Sequence, residues 1–335
     1  MIPKMRNTLA IITLFSATTV YGQDLHFSQF CLNPATITPA ALVIAQGDMR
    51  AACVYRSQWQ RVPVAYETFS GSFDCTAART GGSLLRLGLQ LQQDKAGDGG
   101  LAWLQTGLNA AVGQQIATEH QLGAGFGVSL IQRRVDTGNL TFQNQWGGDS
   151  FDPSLPGKES FPAASGISPS FSAGLFWQYR AETGRNSAVA GAGLNHINNP
   201  DIGFEPGGNR LSARAAVYLH TVIQAGEMDD AVLFGAWQQM SAAREVLVGA
   251  GYRRILTTGT ANYTAVQLAL AHRTNDALIP SIQVDRNNWT LGISYDFNIS
   301  SFNTATSGRG GMEIALVWNR IPVPLQNNTR TCPVF

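Results

Sequence analysis

The stretch WTLGISYDFNIS, residues 289–300, alternates apolar and polar side chains without interruption. Successive Cβ atoms leave opposite faces of a strand. Trp289, Leu291, Ile293, Tyr295, Phe297 and Ile299 therefore share one face, while Thr290, Gly292, Ser294, Asp296, Asn298 and Ser300 share the other. Strands of globular proteins usually run to about 5–6 residues, whereas a tilted strand needs roughly 9–11 to cross a bilayer. A two-faced strand of this length restricts the chain to a sheet with one apolar surface, and it makes lipid a candidate for what that surface meets.

The same period recurs along the chain. Leu85, Leu87, Leu89 and Leu91 alternate with Arg86, Gly88, Gln90 and Gln92, and Leu122, Ala124, Phe126, Val128 and Leu130 alternate with Gly123, Gly125, Gly127 and Ser129. Near the end, Met312, Ile314, Leu316 and Trp318 alternate with Glu313, Ala315, Val317 and Asn319. Fourteen such segments can be marked: 50–58, 66–74, 83–92, 102–116, 121–135, 168–180, 187–197, 210–223, 230–241, 244–256, 261–273, 277–286, 288–300 and 310–321. The connections after the even-numbered segments are short and turn-like, whereas those after the fifth, seventh and thirteenth are long. An even strand count with short turns on one side and longer loops on the other is the pattern of a bacterial outer-membrane barrel, with both chain ends on the short-turn, periplasmic side.

The polar faces separate a barrel from a soluble sandwich. A sandwich would present Lys, Glu, Arg and Asp to water, but here the polar positions are mostly Gly, Ala, Ser, Thr, Gln and Asn, and only 13% of the chain is charged, against roughly 25% in an average soluble domain. Small neutral residues suit a crowded or water-lined lumen. Trp59, Trp103, Trp177, Trp237, Trp289 and Trp318 fall near strand ends or on apolar faces, as interfacial girdles require. The fold expected is all-β: a transmembrane antiparallel up-and-down β-barrel of about 14 strands.

Lys4 and Arg6 precede an apolar run from Leu9 to Val20, followed by small residues before Gln23, the layout of an export signal over 1–22. With a formal net charge of +1, lowered by two on loss of Lys4 and Arg6, neither nucleic acid nor an anionic membrane surface is an expected partner. The remainder divides into a periplasmic N-terminal segment, 23–48, a barrel, 49–321, and a periplasmic tail, 322–335. Export permits disulfides among Cys31, Cys53, Cys75 and Cys332. Cys31 with Cys332 is the pair that a closed barrel brings to one side, and free buried thiols are the alternative.

Sites for chemistry are not apparent. His26, His120, His196, His220 and His272 show no i, i+4 pair and accompany no GxSxG elbow, so neither a zinc site nor a hydrolase triad is indicated. GAGFGV at 123–128 lies inside a strand pattern and opens no helix, unlike a dinucleotide loop. No catalytic, cofactor-binding or metal-binding residue is assigned, and the chain is expected not to be an enzyme.

Three islands resemble the PorP/SprF family of Bacteroidota outer-membrane proteins of the type IX secretion system. They are QDLHFSQFCLNPATITPA at 23–40, YRSQWQRVPVAYETFSGSFD at 55–74, and GISYDFNIS at 292–300 continuing through SGRGGMEIALVW at 307–318 to a terminal CPVF. One departure is ITPAALV at 37–43, where the family pattern LNPAxAG has Asn and a later Gly. The resemblance implies a non-enzymatic barrel that supports export or surface attachment of specific cargo proteins bearing type IX C-terminal signals, as in gliding motility. Its partners would be outer-membrane lipid, that cargo and other type IX components. It singles out His26, Phe27, Gln29, Phe30, Asn33 and Pro34 in the N-terminal segment, and Arg56, Gln58 and Trp59 at the end of the first strand. Tyr295, Asp296, Asn298 and Glu313 follow in the C-terminal motifs. Their alternative role is to close and plug the barrel. Loops 136–167 and 198–209 are the expected cargo surfaces, and a general porin or small-molecule channel is the competing function.

Overall fold

The computed structural model describes residues 24–44, 47–58, 66–96, 100–135, 140–155, 165–204, 209–259, 262–300 and 309–320. Its fourteen strands are β1 (Met49–Gln58), β2 (Tyr66–Thr80), β3 (Ser83–Ala96), β4 (Leu101–Ala117), β5 (His120–Arg134), β6 (Ser165–Arg180) and β7 (Ser187–Asn195). They continue as β8 (Arg214–Gln224), β9 (Asp229–Met240), β10 (Ala243–Gly259), β11 (Asn262–Arg273), β12 (Ala277–Arg286), β13 (Trp289–Asn298) and β14 (Arg309–Arg320). Each pairs antiparallel with its sequence neighbours, and β1 closes on β14 in a continuous register from Met49↔Arg320 to Gln58↔Gly311. Closure leaves no sheet edge, which is the condition for strands to span a bilayer.

The two faces divide as the alternation requires. Outside stand Leu89, Leu108, Leu175, Leu268 and Phe297, with Leu108 and Leu175 each 64% exposed. Water would penalise such a surface, and hydrocarbon accommodates it. Inside, Arg56, Arg86, Asp74, Asp230, Arg273 and Glu313 are almost wholly buried. Apolar residues outside and charges inside invert the order of a soluble protein. No helix among the described residues is long and apolar enough to cross a membrane, so any crossing is by strands.

The barrel ends differ. On the end shared by the start of β1 and the end of β14, Gly81 and Gly82 join β2 to β3 with φ of 57° and 83°. That left-handed pair is what a two-residue hairpin between right-twisted strands demands. At the opposite mouth, part of the β7–β8 connection folds inward. Ile202 and Leu211 pack with Ile131 and Met240, and Trp103 lies against them.

Three expectations change. Strand β8 starts at Arg214 rather than 210, because Arg210 bridges back to Asp201 and Leu211 turns into the mouth. Trp103 sits among the inward positions of β4 and packs at the mouth, so it belongs to no girdle. Trp289 is outward and stands 6.4 Å from Trp318, whereas Trp59 lies outside the described residues. Most consequentially, residues 24–44, expected on the periplasmic side, lie inside the barrel. Phe27, Phe30, Ile37, Ala40, Leu42 and Val43 are apolar and buried there, because the small residues of the lumenal face leave room for them.

Candidate functional site: a plugged lumen

The N-terminal segment forms three short 3-10 turns, Phe30–Leu32, Pro34–Thr36 and Pro39–Ile44. Pro34 and Pro39 each start a turn at a position where the missing N–H costs nothing. A packed irregular segment must satisfy its backbone polar groups from outside itself, and the barrel wall does so. Arg56 Nη1 donates to the His26 carbonyl at 2.8 Å, and Arg214 Nη1 and Nη2 donate to the Leu25 and Thr36 carbonyls at 3.0 and 2.7 Å. Arg50 donates to the Leu32 carbonyl, and Asn195 Nδ2 to that of Ile37 at 3.0 Å.

Close approach is possible because the wall carries glycines under the plug. A Cβ at Gly125 would lie 2.4 Å from the Ala40 nitrogen, one at Gly174 1.8 Å from Thr38 Oγ1, and one at Gly292 2.1 Å from Gln29 Oε1. Gly125 of GAGFGV thus makes room for the plug chain, whereas a Cβ at Gly123 or Gly127 would meet the wall residues Phe176, Asn109 and Ser172. Phe30 packs against Tyr218 and Phe234, with ring centroids 6.1 and 6.2 Å apart.

A charge network holds the upper part of the plug. Glu313 accepts from the backbone N–H groups of Ser28 and Gln29 at 2.8 and 2.7 Å, one on each carboxylate oxygen. Asp296 accepts from Arg56 at 2.7 Å, from Arg273 at 2.9 Å and from the Ser28 hydroxyl at 3.0 Å. Arg273 also lies 3.5 Å from Glu245, which stands 3.5 Å from His26 Nε2. Such buried charges are tolerated only because each carboxylate meets guanidinium and N–H donors. Burial pushes the His26 imidazole down to about 4 despite the nearby Glu245 carboxylate, so it packs in its neutral form.

A second anchor lies at Asp24. Its carboxylate is 3.0 Å from His196 Nε2 and 3.1 Å from Arg214, and His196 Nδ1 is 2.8 Å from Ser170 Oγ. Burial opposes ionisation of Asp24, but Arg214 and His196 outweigh it and hold the carboxyl well below the usual range. Ser170, His196 and Asp24 form a line like that of a hydrolase triad, but the cavity touching His196 is only about 20 Å³, room for about one water. The line ties the plug to the wall.

The structure gathers most of the residues singled out by sequence. His26, Phe27, Gln29, Phe30, Asn33 and Pro34 all belong to the plug, and Asn33 exchanges hydrogen bonds with Ser70 and Ser72 of β2. Arg56, Asp296 and Glu313 converge on the plug. Gln58 ends β1 opposite Gly311, Asn298 accepts from Ser300, and Tyr295 contacts Phe297 at 4.9 Å, away from this cluster. Sequence reading missed Asp24, Arg50, His196, Arg214, Glu245 and Arg273. For Arg214 and Arg273 the only signal was an arginine on a strand's inward phase. Cys31, Cys53 and Cys75 are free thiols, and Cys332, the partner considered for Cys31, lies outside the described residues. Among the described residues no cluster of three His, Cys, Asp or Glu could hold a metal ion.

Comparisons place the chain among known proteins. Residues 19–317 match the family described as type IX secretion system membrane protein PorP/SprF. No curated protein matches. Among solved structures, the Pseudomonas putida toluene transporter TodX is 10% identical, with 85% of this chain and 93% of that one covered and a TM-score of 0.47. The Ralstonia pickettii toluene transporter TbuX is 11% identical over 84% and 92% at 0.46, and a Pseudomonas aeruginosa FadL homologue 11% identical over 84% and 92% at 0.45.

Proposed function

The chain belongs to the PorP/SprF family of type IX secretion system membrane proteins, and from that premise we propose that it supports export or surface attachment of specific cargo proteins carrying type IX C-terminal signals, without catalysing a reaction. It is an outer-membrane β-barrel, and adhesins of the gliding type are the cargo proposed. The observation that carries this reading is the filled lumen. A diffusion porin needs a water-filled passage, but here residues 24–44 occupy the interior and are bound to the wall by Arg50, Arg56, Arg214 and Glu313. A barrel sealed in this way suits a scaffold for protein partners better than a solute channel. The long loops after β5 and β7 are the proposed cargo surfaces, because they stand at the mouth away from the chain ends. Other type IX components are the proposed partners at the short-turn mouth.

Deletion of the protein followed by surface proteomics tests the proposal. The expected result is loss of one or a few large surface proteins with type IX C-terminal signals, together with negligible conductance of the purified barrel in planar bilayers. Retention of every such cargo on the surface, with steady ion conduction, would establish the channel reading instead.

A further inference from the structure

Three adjacent strands carry a row of unlike side chains at the long-loop mouth. Asp94 of β3 lies opposite Trp103 of β4, and Trp103 lies opposite Arg133 of β5. All three line one cavity of about 430 Å³, within the roughly 300–1,000 Å³ of small-molecule sites. Leu101, Ile202, Leu211 and Met240 give it apolar walls, and its rim includes Asn209, Arg210 and Ser241, which are exposed.

Most lumenal arginines are ion-paired, Arg50, which donates to the Leu32 carbonyl of the plug, being an exception. Arg56, Arg86, Arg214 and Arg273 each face a carboxylate. Asp94 accepts from the Thr68 hydroxyl, at 2.6 Å, and no cation among the described residues lies within ion-pair distance of it, Arg56 acting on it only from farther away. Arg133 donates to the Ile202 carbonyl at 3.3 Å and lies over the Phe204 ring, with no carboxylate partner among the described residues. Two strand spacings, about 10 Å, separate the Asp94 and Arg133 backbones, and the Trp103 indole stands between them. Its Nε1 is buried without a hydrogen-bond partner, although such a donor ordinarily finds one. Asp24 also borders the cavity, but His196 and Arg214 already occupy its carboxylate.

We propose that this cup binds a small zwitterion, a ligand carrying an ammonium and a carboxylate on an apolar body, the chemistry shared by free apolar amino acids and short apolar peptides. The ammonium meets Asp94, the carboxylate meets Arg133, and the body packs on the indole and the apolar wall. A simple anion would face Asp94 and a simple cation would face Arg133. A zwitterion satisfies both. The site is independent of the cargo reading, since it needs only the folded barrel.

The test uses the barrel in lipid nanodiscs, titrated calorimetrically with L-leucyl-L-leucine and with L-leucine. The N-acetyl and C-terminal amide forms of the dipeptide serve as probes with one charge removed. Saturable binding of either zwitterion is expected, and their relative strengths identify a peptide or a free amino acid as the better ligand. Blocking either end of the preferred ligand should weaken binding at least tenfold. Asp94→Asn should abolish the preference for a free amine, and Arg133→Gln the preference for a free carboxylate, in variants whose heat-modifiable gel migration shows an intact barrel. Absence of saturable binding by both zwitterions, equal binding of the blocked forms, or preferences unchanged in the two folded variants would each overturn the proposal.

Discussion

Replacing Gly125 by Ala tests whether the plug is seated by steric fit. The added Cβ would lie 2.4 Å from the Ala40 nitrogen and 2.6 Å from both the Ala40 Cα and the Pro39 carbonyl carbon. Carbon contacts normally relax to about 3.5–4.0 Å, and these neighbours are backbone, so the plug must retreat by about 1 Å. Overpacking of this kind costs about 1–3 kcal/mol, and because β5 is folded whether or not the plug is docked, the unfolded-state effect of Gly→Ala cancels. That cost multiplies the undocked population roughly 5- to 150-fold. Gly107→Ala is the control, because the three atoms nearest a Cβ there belong to Ser129 and the Val128 carbonyl of the wall. The assay is labelling of Cys31, a plug thiol, by a membrane-impermeant maleimide in a background lacking Cys53, Cys75 and Cys332, paired with bilayer conductance. Gly125→Ala should speed labelling and raise conductance, while Gly107→Ala should leave both unchanged. Equal rates for the two variants would refute steric seating.

Two further outcomes probe the wall. Glu313→Ala removes the acceptor of two plug N–H groups and a neighbour of Arg56. It should destabilise the protein by about 3–5 kcal/mol, read as a fall in urea midpoint in lipid vesicles, and an unchanged midpoint would mean that the network is not stabilising. Ile293→Lys, on the outward face of β13 where Ile293 is 39% exposed, should cost about 2–4 kcal/mol if it lies at the bilayer midplane. A neutral result in the same titration would place that position in water.

The barrel and its strand order were legible in the sequence. Period-two alternation is a local property, so residues 289–300 announce their two faces without reference to any partner, and fourteen such segments, with every even-numbered one followed by a short turn and three of the odd-numbered ones by a long loop, leave an up-and-down barrel as the simplest closure. The small residues at 123–127 also announced a crowded interior. What crowds it was not legible. Whether residues 24–44 hang below the barrel or fill it depends on contacts such as Ser28 with Glu313 and Asp24 with His196, separated by 285 and 172 positions. No periodicity reports pairs so distant in sequence. The same holds for Trp103, since alternation says that it shares a phase with Asn109 but not that the β7–β8 connection folds in to meet it. Local side-chain order fixed the sheet and the solvent of each face. Only the closed tertiary structure decided what the enclosed face would hold, because closing the barrel is what brings distant wall positions around one segment.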